Sequence, residues 1–102
     1  MRETPMTENL FPRDAVFSIR EDLVVEQVDD EFLVLDLRGN EYFGLNAVAR
    51  HIWAAIDAGD SLAAIADSVC ERFEVERERA ATDVADFIAN LLEQRLVSRV
   101  DA

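Results

Sequence analysis

The chain offers few side chains for covalent chemistry. It has one histidine, His51, and one cysteine, Cys70. Cys–His nucleophilic catalysis needs the two in contact, and a zinc site needs three or four N, S or O ligands at short spacings such as CxxC. Neither pattern is present, so no catalytic residue, metal or cofactor is expected. Cys70 falls on the apolar stripe of its helix and reads as a small core residue. His51 falls off the stripe of its own helix and reads as surface. Asp60-Ser61-Leu62 has the letters of the phosphopantetheine attachment site of acyl and peptidyl carrier proteins, and Gly59 extends them to GDSL, as in a family of esterases. The esterase reading lacks a catalytic histidine and a full α/β domain. The carrier reading needs an all-helical bundle. The plain alternative is that Ser61 is a helix N-cap.

Residues suited to binding are easier to find. Glu41–Leu45 (EYFGL) combines an acidic residue, two aromatic rings and a glycine in a short strand. Alternation puts Phe43 and Leu45 on one face, towards the core, and leaves Tyr42 as an amphipathic ring at an edge. Gly44 lets a second backbone approach closely. At 100° per residue, Asp83, Phe87 and Asn90 lie along one flank of the last helix, with Phe87 nearest the core. Ala81, Ala85 and Ala89 lie along the other flank. The acidic flank could read a basic peptide, and the alanine flank could admit a backbone.

The elements that position these residues follow from the hydrophobic period. Residues 1–14 hold two prolines and mixed charges without periodicity and read as a flexible tail. Residues 15–102 read as one domain. From 15 to 45 the pattern is strand-like. Leu23–Val28 (LVVEQV) is β-branched, residues 29–31 are acidic and turn-forming, and residues 32–37 (FLVLDL) are nearly all apolar, as in a central strand. Arg38-Gly39-Asn40 is a hairpin loop in which Gly and Asn tolerate positive φ. Glu41–Leu45 closes a three-stranded antiparallel meander. The period then changes to 3.6. Asn46 caps a helix carrying Val48, Ile52, Trp53 and Ile56, with Trp53 in the core, and Gly59 stops it. Ser61 caps a second, whose stripe is Leu62, Ile65, Ala66, Val69, Cys70 and Phe73. A third carries Ala80, Val84, Phe87, Ile88, Leu91 and Leu92. Residues 96–100 suit a short final strand. The fold class is α+β in the order βββααα.

Half of the residues are hydrophobic, enough for one modest core. The formal net charge is −12, and all ten basic residues are arginines. A field of that sign repels nucleic acid and suits a neutral or basic partner. No run approaches the roughly 20 apolar residues of a membrane helix, and the first residues lack the apolar centre of a signal peptide. A cytoplasmic location with no membrane partner is expected, and a homodimer is compatible with the sequence.

The run LDLRGNEYFGLNAVARHIW, with Tyr42-Phe43, Leu45-Asn46, Ala49 and Ile52-Trp53, resembles the hairpin and first helix of the PqqD-like family of RiPP recognition elements. SLAAIADSVCERFEV resembles that family's second helix and DVADFIANLLEQRLV its third. The likeness spans residues 33–97, through many moderate matches. Glu74-Val75-Glu76 departs from the small polar cap usual before the third helix, and leaves the start of that helix open. The resemblance implies a winged helix-turn-helix fold without catalytic activity. It implies strand addition of a precursor's leader peptide along Glu41–Leu45, beside the third helix. It also implies handover to a separate leader peptidase, cyclase or radical SAM enzyme, as in lasso-peptide or pyrroloquinoline-quinone pathways. Two other classes stay open. One is a winged-helix transcription regulator, which the acidity and the lack of a basic recognition helix oppose. The other is the carrier protein modified at Ser61.

Overall fold

A computed structural model describes residues 11–100. Eight elements follow in order: β1 Val16–Ile19, β2 Leu23–Val28, β3 Glu31–Asp36, β4 Glu41–Leu45, α1 Ala47–Asp57, α2 Leu62–Phe73, α3 Arg77–Glu93 and β5 Val97–Val100. The expected meander and three helices are present, flanked by one further strand at each end.

The meander β2–β3–β4 is antiparallel, with β3 in the middle. Val24 pairs with Leu35 and Leu35 with Tyr42; Val25 pairs with Val34 and Val34 with Phe43. Successive side chains alternate between faces, so Phe32, Val34, Phe43 and Leu45 turn inwards. Val34 is fully buried and Leu45 nearly so. The first turn is tighter than the acidic run suggested. Glu31 already pairs with Val28, and Asp29 takes φ +56°. In the second turn Asn40 alone adopts the left-handed conformation, at φ +58°. Gly39 serves by its size: a Cβ there would stand 2.9 Å from Asp36 Oδ2.

β1 pairs antiparallel with β5, Val16 opposite Val100 and Ile19 opposite Val97, in a second, two-stranded sheet. The final strand therefore closes on the start of the domain and does not extend the meander. Residues 11–14, placed in the tail by composition, touch the body. The Phe11 ring meets Phe17 edge to face, at a centroid distance of 5.2 Å. The Arg13 carbonyl accepts from Ala63 N (2.9 Å). Residues 1–10 lie outside the described residues.

The helices begin where their caps stand. Asn46 Oδ1 accepts from Ala49 N at 2.8 Å and Ser61 Oγ from Ala64 N at 3.2 Å. Each side chain satisfies one of the amides that a first helical turn leaves unpaired. Gly59 leaves α1 at φ +87°. α3 starts after Glu76, which makes no side-chain cap bond, and Glu74 ends α2 in the left-handed conformation. Cys70 Sγ donates to the Val75 carbonyl (2.9 Å) and steadies this link. The core joins Phe17, Val34, Ile52, Trp53, Ile56, Ile65, Val69, Val84, Ile88 and Leu91 from all layers. His51 is not a surface residue: Nε2 meets Ser68 Oγ at 2.8 Å and the ring packs edge-on against Phe73. The second helix supplies these partners, and no pattern within α1 could announce them. Among the described residues no helix is long and apolar enough to cross a membrane.

Candidate functional site

Among the described residues β4 is an edge strand, paired on one side only, with β3. An edge leaves alternate N–H and C=O groups without a sheet partner. β4 leans on α1, and the Phe43 ring meets Trp53 edge to face at 6.3 Å. Two openings adjoin α3: a cleft between β4 and the end of the helix, and a hollow between the helix and the start of α1. One is bounded by Glu41, Tyr42 and Phe43 on the strand side and by Gln94 and Leu96 beyond the end of α3. The other, about 360 Å³, is bounded by Asn46, Val48, Ala49 and Ile52 and, across from them, by Asp83, Asp86 and Phe87 of α3. Asn90 stands on α3 between Phe87 and Gln94 and is hydrogen-bonded to Gln94.

Among the described residues the two candidate groups line separate openings: Glu41, Tyr42 and Phe43 the first, Asp83 and Phe87 the second. Glu41, Tyr42 and Gly44 are exposed, with Tyr42 71% exposed. Phe43 is half-buried and Leu45 buried, so these two contribute backbone to the edge and side chain to the core. Phe87 is half-buried and forms apolar floor with Val48, Ala49 and Ile52. Asp83 is exposed and already holds Arg79 at 3.3 Å, one turn back on α3. The other flank of α3 faces elsewhere. Ala81 and Ala85 line a hollow with Leu62, Ala63, Ala66 and Phe11, on the α2 side of the molecule.

Several lining residues escaped the sequence reading. Asp86 was legible: at 100° per residue it stands about 60° from Asp83, on the same flank. Asn46 and Val48 read as cap and core, and Ala49 only as part of the family pattern, because nothing in α1 alone says that its first turn stays open on one side. Gln94 and Leu96 join the cleft only through the way α3 docks.

The strand-side wall has an electrostatic anchor. Asp36, at the end of β3, pairs in register with Glu41. Its Oδ1 accepts from Gly39 N (3.0 Å), Arg38 N (3.1 Å) and the Arg20 guanidinium. These donors, the Gly39 amide foremost, hold the Asp36 carboxyl below the usual carboxylate range against partial desolvation. Asp22 is lowered in the same way, chiefly by its hydrogen bond from Arg20.

A comparison with protein families matches residues 31–97 to the family described as coenzyme PQQ synthesis protein D (PqqD). The chain belongs to the PqqD family. Two solved structures resemble it over most of its length. One is TbiB1 in complex with the TbiA(beta) leader peptide: 30% identity, TM-score 0.73, covering 83% of this chain and 99% of that one. The other is lasso peptide synthetase B1 complexed with the leader peptide: 33% identity, TM-score 0.75, covering 80% of this chain and 96% of that one. A comparison with curated proteins gives no match. The carrier alternative fails on the fold. Five strands surround the helices, and the Ser61 hydroxyl caps α2. For a PqqD-family domain, α3 is a poor DNA-reading helix: Arg77 and Arg79 are tied to Asp67 and Asp83.

Proposed function

We propose that this PqqD-family chain binds the leader segment of a ribosomally made precursor peptide and carries out no covalent chemistry of its own. The leader adds as a fourth strand beside β4, along Glu41–Leu45, and lies in the cleft against α3. The observation that carries this reading is the outer edge of β4, beside a cleft that reaches the end of α3, with the hollow lined by Asp83 and Phe87 on the same helix. The leader-bound state of both structural relatives, as their names give it, supports it.

Each part of the cleft has a task in this scheme. Backbone pairing along β4 supplies sequence-independent affinity, and side-chain contacts select the leader. Phe87 with Val48, Ala49 and Ile52 takes an apolar leader side chain. Tyr42 covers the outer side of the added strand. Asp83, Asp86 and Glu41 favour Lys or Arg in the leader, and Asn90 offers amide hydrogen bonds. The core peptide then projects from the complex to a separate modifying enzyme, a leader peptidase with its cyclase in a lasso-type pathway. Binding takes place in the cytoplasm, where precursors are made.

Strand addition has a period-two signature. Only every second leader amide donates to β4. Leader peptides N-methylated at single successive positions should therefore alternate between strong loss of binding and near-normal binding in a titration followed by fluorescence anisotropy. Uniform tolerance of N-methylation would rule out strand addition.

A further inference from the structure

Arg20, in the turn between β1 and β2, touches both walls of the cleft. Its backbone N–H donates to the Leu96 carbonyl (3.0 Å) and its Nη1 to the Arg95 carbonyl (3.1 Å), immediately after α3. Arg95 takes φ +63°, in the turn that leads from α3 to β5. On the other side Nη2 donates to Asp36, at the end of β3, and Nε to Asp22. Asp36 and Leu96, one from each side, both line the cleft where β4 begins. The side chains of Arg20 and Asp36 are 26% and 13% exposed, so water screens their attraction only in part. Three nitrogens at fixed angles serve three acceptors in different directions, which suits a planar guanidinium and not a point-charge ammonium.

We propose that Arg20 is a positioning residue for the leader site: it clamps the β3–β4 wall to the end of α3 and so fixes the separation at which an added strand fits. This rests on the leader-binding reading. Arg20 makes no contact with the leader and acts through Asp36 and the Arg95 and Leu96 carbonyls. A mispositioned wall leaves every lining side chain present and still loses the pairing geometry, because hydrogen bonds weaken steeply with misalignment.

The test compares wild type, Arg20→Lys, Arg20→Gln and Val69→Ala. Val69 is buried on α2, away from both walls, and its truncation lowers stability by leaving a cavity. Two readouts are taken on each folded protein. The first is affinity for a fluorescent leader, with the TbiA(beta) leader peptide as the probe. The second is Trp53 emission without peptide; Trp53 is the single tryptophan and touches Phe43 of β4. Both Arg20 variants should lose about tenfold or more in affinity, and their Trp53 emission should shift to the red as Phe43 moves away. Arg20→Lys should do so while melting close to wild type. Val69→Ala should melt lower yet keep its affinity and emission. Arg20 variants that bind and emit like wild type would overturn the proposal. So would losses that track melting temperature across all the variants, with Val69→Ala losing affinity and emission as well. A wild-type chain that did not bind this leader would count against the leader-binding reading, and the clamp would then be judged on the emission spectra alone.

Discussion

Phe87 and Asp83 share one flank of α3 and should behave differently when changed. Phe87 contributes apolar contact area to the floor of the cleft, so Phe87→Ala should weaken leader binding most among the lining side chains. It should also lower stability by about 1–3 kcal/mol, less than for a fully buried ring. Asp83 acts through charge alone and is shared with Arg79. Asp83→Ala should weaken a basic leader a few-fold at most. Asp83→Arg should weaken it more at low salt, and the difference should shrink in high salt. A titration at two ionic strengths reads both. Equal binding by Asp83→Arg and wild type at low salt would remove this flank from the site. Gly44 is a different case. A Cβ on it would meet Leu33 Cδ2 and the Phe32 carbonyl at 3.8 Å, an ordinary contact, and its φ is not positive. The fold does not require glycine here. Gly44→Ala should stabilise the protein by roughly 0.5 kcal/mol in denaturant unfolding, through the lower entropy of its unfolded chain.

At the scale of elements, the turn that joins β3 to β4 is tied down by a single carboxylate oxygen. Asp36 Oδ1 gathers two backbone amides and the Arg20 guanidinium. Its pKa is depressed by folding. A depressed carboxylate contributes stability that is fully present above its unfolded pKa and lost as pH falls through the folded one. The same holds for Asp22. Wild type should therefore be more stable than Asp36→Asn at neutral pH, and the gap should close below about pH 4 as the Asp36 carboxyl takes up a proton. Denaturation midpoints of the two proteins from pH 7 to pH 3 check the sign. A gap that widened in acid would contradict the assignment. Arg20 stays charged throughout, so the carboxylates alone set the window.

At the scale of the whole molecule, charge dominates. Twenty-two acidic against ten basic residues give −12 on 102 residues, and such a surplus opposes the compact state through self-repulsion. Added salt screens that repulsion and should raise the melting temperature. The same salt should weaken the capture of a basic leader, because it screens the attraction of Glu41, Asp83 and Asp86 for the peptide. Stability and affinity should thus move in opposite directions over about 10–300 mM salt, a range in which the Debye length falls several-fold. If both rose together, leader recognition would be apolar and backbone-driven, with the acidic flank a bystander.

The amino-acid sequence alone determined the meander, the three helices and the caps of the first two. Those features rest on local forces: the period-two run of Leu23–Val28, the 3.6-residue stripes through Ile65 and Ile88, and the side-chain caps at Asn46 and Ser61. It also placed Tyr42, Phe43, Asp83 and Phe87 among the candidates, since each stands out within its own element. Tertiary structure decided what those elements meet. Val16–Ile19 becomes a strand because Val97–Val100 lies beside it, a pairing across about 80 residues that no short window can show. His51 is engaged because α2 brings Ser68 and Phe73 to it. The flank of α3 that faces the start of α1, and the reach of Arg20 from Asp36 to the end of α3, follow from how helix and sheet dock. That docking is set by the shape of the whole core, and a hydrophobic stripe specifies only that a face is buried, not which partner covers it.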